Sequence, residues 1–177
     1  QVDAVNRVDF KTVPLMKANP NVEIIEVTAQ KKVESLQDVP ISISTIHADI
    51  FERFELVQAH QIAQFVPNLN STRSISGIQN YFIRGIGLDD FNLASVSAVG
   101  LYVDDIAIQN PMLASFTLFD IQRAEVLRGP QNTLYGKNTT GGAIKFMSNQ
   151  PELEQEYNGY GKLSLGSFNR TFLDFAS

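Results

Sequence analysis

Few side chains in this sequence have a type and spacing that could do chemistry. Two histidines occur, His47 and His60. Asp49 and Glu52 lie near His47, but no His-x-x-x-His or His-x-Glu spacing follows, and a metal centre needs three or four ligands in fixed geometry. Both read as surface histidines beside helices. There is no cysteine, which excludes CxxC zinc sites, thiol catalysis and a disulfide framework. Gly136-Lys137-Asn138-Thr139 approaches a phosphate-binding loop, yet Gln131 stands at the first glycine's place and Asn138 at that of the hydroxyl residue. Gly85-x-Gly87 lacks the third glycine of a dinucleotide fingerprint, and no serine sits in Gly-x-Ser-x-Gly. Asn-x-Ser/Thr triplets at Asn70, Asn138 and Asn169 would matter only in a eukaryotic secreted protein. The sequence offers no catalytic residue, metal site or cofactor site and reads as a non-enzyme. An activity lost on changing His47 or His60 would revive the catalytic alternative.

A stronger signal is a pair of arginines at strand ends. Arg84 closes Tyr81–Ile83 and Arg128 closes Glu125-Val126-Leu127, each followed at once by glycine. The planar guanidinium bonds both oxygens of a carboxylate, and a neighbouring glycine lets another backbone approach. Spacing alone favours ordinary strand-end arginines in water, where ion pairs contribute little.

The elements that must position these residues follow from composition and pattern. A chain of 177 residues is one domain with room for a small second piece, and 44% apolar residues suffice for a core. Fourteen Lys and Arg against 19 Asp and Glu, a net charge of −5, argue against a duplex-DNA binder, which carries a basic patch. No stretch could span a membrane as a helix: the longest charge-free run, Ile106–Phe119, is interrupted by Pro111. No signal-peptide pattern opens the chain, so Gln1 fits either a chain without one or a mature or fragment terminus.

Residues 1–22, with Pro14 and Pro20, read as a linker or leader remnant. Glu23–Thr28 is a short β-favouring run. Lys31–Val39 is polar and turn-like, and Ile41–Ile46 alternates as a half-buried strand. Ile50, Phe51 and Phe54 share a helical face behind Asp49. A second short helix spans Ala59–Val66, with Ile62, Phe65 and Val66 inward, and ends at Pro67. Ser71–Asn80 reads as a polar loop with one strand-like patch, and the stretch after Gly85 as loop to about Ala98. Val99–Val103 and Ile106–Ile108 are short strands about an Asp104-Asp105 turn. Leu113–Phe119 is expected as a short helix, and Arg123–Leu127 and Gly141–Met147 as strands. The class is α+β, a small mixed sheet with short helices and loops.

The last part changes character. Tyr157–Leu165 alternates clearly, and Arg170–Phe175 starts a second strand after a tight turn at Gly166–Asn169. This is hairpin grammar, and it is also how a transmembrane β-barrel begins. A strand ending without a partner leaves an unpaired edge, so the sequence is expected to be truncated.

Several long motifs then resemble one family in collinear order over about Glu23 to Gln150. They are Ser35-Leu36-Gln37-Asp38-Val39-Pro40-Ile41-Ser42, Val66-Pro67-Asn68-Leu69, Phe82-Ile83-Arg84-Gly85-Ile86-Gly87 and Val99-Gly100-Leu101-Tyr102-Val103-Asp104. The longest is Ala124-Glu125-Val126-Leu127-Arg128-Gly129-Pro130-Gln131 with Thr133-Leu134-Tyr135-Gly136-Lys137-Asn138-Thr139-Thr140-Gly141-Gly142-Ala143-Ile144. Together they resemble the plug-domain signature of TonB-dependent outer-membrane receptors. Asn132 stands where glycine is usual and Lys137 where arginine is commoner.

The resemblance implies a role for each segment. Residues 23–29, with Ile25, Glu26, Val27, Thr28 and Ala29, would be the TonB box, reaching TonB and its inner-membrane energy-transducing complex; a short β-favouring segment can add to a partner's sheet edge. Residues 30–150 would be the plug and 151–177 the start of the chain's own β-barrel, with room for about two strands of roughly 10 residues. Arg84 and Arg128, supported by Glu125, would pair with barrel carboxylates and hold the plug in the lumen. Ligand-facing loops would present Arg73, Ser74, Asp89, Asp90, Phe91, Asn92, Gln109, Asn110 and Met112. The implied function is proton-motive-force-coupled import across the outer membrane of a scarce small molecule such as a ferric siderophore, with no nucleic-acid partner. The alternative is a stand-alone periplasmic binding or signalling module derived from a plug.

Overall fold

The computed structural model describes residues 26–28, 31–74, 77–89, 95–150, 160–166 and 170–176. The chain opens with β1 (Glu26–Val27), β2 (Glu34–Ser35), β3 (Ile43–His47) and α1 (Ala48–Arg53), followed by a 3-10 helix over Ala59–Gln64. Next come β4 (Leu69–Arg73), β5 (Gln79–Ile83), β6 (Ile86–Gly87), β7 (Val99–Val103) and β8 (Ile106–Ala107). A 3-10 turn at Pro111–Leu113, β9 (Ile121–Arg128), α2 (Asn132–Tyr135) and β10 (Gly142–Ser148) complete the core, and β11 (Tyr160–Gly166) and β12 (Arg170–Ala176) follow.

The main sheet runs β3-β9-β10-β7-β8. Only β10 and β7 pair in parallel; the other neighbours are antiparallel. A strand covered on both faces needs a near-continuous apolar run, and β10 supplies one in Ala143, Ile144 and Phe146, all fully buried. On one face Ile144, Phe146, Val126 and Leu101 meet Phe51, Ile62, Leu69 and Ile83 from α1, the first 3-10 helix and the antiparallel β4-β5-β6 sheet. The other face has a thinner cover, where Tyr102, Leu127, Tyr135 and Ala143 cluster beside α2.

Tertiary pairing changes several sequence-based expectations. The stretch after Gly85, expected as loop, begins with β6, paired to β5 at Phe82↔Gly87 and Ile83↔Ile86, and the turn-like Lys31–Val39 holds β2, paired to β1. The stretch Leu113–Phe119 is no helix: after the 3-10 turn it runs extended, with Thr117 bridging Gln58 and Leu118 N–H donating to Val57 O at 2.7 Å. The polar Ser71–Asn80 loop is strand at both ends, over residues 71–73 and 79–80, because β4 and β5 pair from Leu69↔Ile83 to Arg73↔Gln79. The Ala59–Val66 helix is 3-10 and shorter, with Ile62 buried as expected. Phe54 lies just past α1 and is about half exposed, its ring tilted on Phe65 at 4.8 Å. The four-residue α2 is too short to show a periodicity and was not expected. The C-terminal hairpin is present, β11 pairing with β12 from Tyr160↔Ala176 to Gly166↔Arg170; its expected start at Tyr157 lies outside the described residues. Among the described residues no helix is long and apolar enough to cross a membrane, which says nothing of strands.

Candidate functional site

Arg84 and Gly85 are the two-residue turn between β5 and β6, with φ of 53° and 78°. A turn with positive φ at both positions matches the twist of the flanking strands. A Cβ at Gly85 or Gly129 would meet nothing within 4 Å. Among the described residues no other backbone approaches that position, and both glycines hold positive φ, 78° at Gly85 and 92° at Gly129. Arg128, at the end of β9, donates to Ser44 Oγ at 2.6 Å, to the Pro67 carbonyl at 3.1 Å and to Ser42 Oγ at 3.3 Å. Arg84 N–H donates to the Asn68 carbonyl at 2.9 Å, so the two arginines flank the Pro67-Asn68 turn. Burial, and then the positive charge of Arg84, lower the Arg128 guanidinium below its ordinary value, and its Nε is buried without a partner. The ion pairs among the described residues are Arg123–Glu125 and Lys145–Asp105, so neither Arg84 nor Arg128 has a carboxylate there. Two cations held together with a donor to spare suit an anionic partner.

Glu125 does not join this corner. Side chains alternate along a strand, and Glu125 stands three residues from Arg128, so it points to the opposite face of β9. There it meets the chain's first described segment. Thr28 N–H donates to Glu125 Oε1 at 2.9 Å, and Arg123 Nε donates to the same oxygen at 3.1 Å. Lys145, opposite Glu125 in the β9–β10 register, donates to Thr28 Oγ1 at 3.0 Å and pairs with Asp105 at 2.9 Å. Asp105 is placed by the β7–β8 turn, where Asp104 and Asp105 both have positive φ; Asp104 accepts from Ser148 N–H and Oγ. Val27 beside Thr28 is fully buried. Of the expected TonB-box residues, Val27 and Thr28 are thus seated on the sheet, Glu26 is exposed and pairs with Ser35 of β2, and Ile25 and Ala29 lie outside the described residues.

The expected ligand-loop residues divide. A cleft of about 370 Å³ is lined by Asn80, Leu88, Tyr102, Gln109, Asn110 and Lys137, among others. Gln109 and Asn110 therefore line one space, with Asn80 holding Asp89 at its rim through an Nδ2 donor at 2.9 Å. Asn110 Oδ1 accepts from Met112 N–H, which starts the 3-10 turn and leaves Met112 exposed. Arg73 and Ser74 sit apart at the β4–β5 tip, where Arg73 reaches the Gly77 carbonyl and Ser74 Oγ accepts from Ile78 N–H. Asp90, Phe91 and Asn92 lie outside the described residues. His47 is exposed and His60 half-buried, and among the described residues no cluster of three His, Cys, Asp or Glu could hold a metal.

The family described as TonB-dependent Receptor Plug Domain matches residues 35–143. This chain belongs to it. The plug is 33% identical over 135 residues to the pesticin receptor of Yersinia enterocolitica, covering 72% of this chain and 19% of that protein. It is 27% identical over 155 residues to the ferrichrome outer membrane transporter/phage receptor of Escherichia coli K12, covering 84% and 20%. The chain thus spans about a fifth of the length of the curated relatives it matches. Among solved structures, the ferric yersiniabactin uptake receptor of Yersinia pestis aligns with a TM-score of 0.60 at 28% identity, over 70% of this chain and 18% of that one. The ferripyoverdine receptor of Pseudomonas aeruginosa shares the fold, with a TM-score of 0.67 at 21% identity over 84% and 19%.

Sequence reasoning missed Lys145 in the plug, although a signal was present. A lysine inside the run Ala143-Ile144-Lys145-Phe146-Met147 is out of place in a strand buried on both faces unless something pairs with it. Tyr81 and Tyr102, which line the cleft, were read only as strand residues.

Proposed function

We propose that this chain is the plug part of an outer-membrane receptor that imports a scarce small molecule of the ferric siderophore class, driven by the proton-motive force through TonB. The family match over residues 35–143 carries this reading. The relatives' names support the ligand class: ferrichrome in one, ferric yersiniabactin in another. In this reading ligand settles on the loops around Gln109, Asn110, Asp89 and Arg73. Residues 23–29 pass to TonB, which takes an extended segment as an added strand. Arg84 and Arg128, lacking carboxylates among the described residues, anchor to carboxylates of a barrel wall that β11 and β12 begin. The docking of Glu26–Val27 supports the handover, since β1 is held by a two-residue ladder to β2 and belongs to no larger sheet.

The test is deletion of residues 23–29 from the intact receptor in its outer membrane. Uptake of a radiolabelled ferric siderophore is expected to stop while equilibrium binding of the same ligand persists. Uptake at the parent rate would overturn the handover.

A further inference from the structure

Charges are an uncommon floor for a docked strand, and Glu26–Thr28 rests on two of them. Glu125 is 0% and Lys145 2% exposed, directly opposite each other in the middle of the β9–β10 ladder. Both lean on Thr28. Its N–H serves Glu125, and its hydroxyl accepts from Lys145 and donates to Met147 Sδ at 3.2 Å. Their remaining partners, Arg123 and Asp105, lie nearer water, with side chains 16% and 60% exposed. Glu125 Oε2 is buried with no partner.

Two effects oppose each other here. Val27 is fully buried, and that burial holds the segment down. The carboxylate and ammonium beneath it lose hydration when the segment docks, a loss that buried charges seldom recover in full. They regain water when it lifts. An apolar floor would carry no such loss of hydration. Thr28 meanwhile makes the seat specific, because a side chain without a hydroxyl would leave Lys145 short of an acceptor.

We infer that Glu125 and Lys145 form a release seat, fixing the Glu26–Thr28 segment through Thr28 while keeping it shallow enough to vacate. This rests on the segment's proposed handover to TonB, but the seat itself is measurable without TonB. The probe is a Val27→Cys receptor, full length, in outer-membrane vesicles lacking TonB, read by the rate of maleimide labelling against the same receptor without the cysteine. Adding Thr28→Val is expected to speed labelling about tenfold, the equivalent of one hydrogen bond to a charged group, while Thr28→Ser keeps the parent rate. Adding Lys145→Met to Thr28→Val, which removes the buried ammonium along with the hydroxyl that served it and leaves the Thr28 N–H bond to Glu125 in place, is expected to slow labelling relative to Thr28→Val alone. Equal rates for the Thr28→Val and Thr28→Ser receptors overturn the inference. So does faster labelling of the Lys145→Met, Thr28→Val receptor than of Thr28→Val alone while it still binds ferric siderophore; if that variant does not bind, the two Thr28 variants decide alone. Rates that shift as expected, together with uptake surviving deletion of residues 23–29, uphold the seat and overturn the TonB reading.

Discussion

Gly142→Ala tests whether the geometry at the head of β10 is indispensable. Gly142 has φ of 145° and lies opposite Arg128 in the ladder. A Cβ there would press into the Leu127 carbonyl oxygen and come within 2.8 Å of Ile83 Cδ1. The isoleucine methyl can turn away. The carbonyl cannot, because it is main chain of the neighbouring strand. A residue forced into so sparsely populated a conformation costs about 1–3 kcal/mol. Parting two packed strands adds about 1–3 kcal/mol. Gly85→Ala is the matched control: φ is 78° with nothing within 4 Å of the new carbon, so only the left-handed penalty of roughly 1–2 kcal/mol applies. The assay is urea unfolding of the chain followed by circular dichroism. With a slope of about 1–3 kcal/mol per molar urea, the two midpoints should differ by about half a molar or more. Coincident midpoints would refute the argument that the Leu127 carbonyl forbids a side chain at 142.

Two further outcomes are expected. Phe146 is fully buried and meets Phe116 edge-on at 5.2 Å, so Phe146→Ala should cost about 3–5 kcal/mol, whereas Phe54→Ala, half exposed, should cost much less in the same urea assay. Burial raises the Tyr81 phenol above its ordinary value of 10.0, and burial, then the charges of Glu125 and Asp105 and Tyr102, raise that of Tyr135. The unfolded chain therefore releases these protons first, and the stability they contribute, intact below about pH 10, is lost as pH rises past it. The urea midpoint should fall between pH 8 and pH 11, and fall less in Tyr81→Phe; a midpoint flat over that range would contradict the burial argument.

Much of the sheet was legible because its strands carry local signatures. The Asp104-Asp105 turn, the buried run of β10 and the arginine-glycine strand ends can each be read within a few residues. Leu113–Phe119 was not, since its extended path is set by Gln58 and Val57, which lie far off in sequence. The β4–β5 hairpin was hidden by its composition: a strand with one face in water can be written in Asn, Ser, Thr and Arg, the letters of a loop. Glu125 illustrates a different gap. Its motif neighbours suggested company for Arg128, but an odd separation on a strand already placed the two on opposite faces. The corner formed by Arg84 and Arg128 depended on the Pro67-Asn68 turn coming between them, which is a property of the fold.

The order of strands in the main sheet differs from their order in the chain. The first to be made, β3, is at an edge, and β10, the last, is in the middle. All of β10's ladder bonds go to β7 and β9. Among the described residues, the stretch up to His47 can therefore be drawn off from the N-terminal side at the expense of the β3–β9 ladder, the Thr28 contacts with Glu125 and Lys145 and the Ser42 and Ser44 bonds to Arg128, leaving the β9-β10-β7-β8 ladders paired. The topology sorts the sheet into a strippable margin on the N-terminal side and a persistent keel.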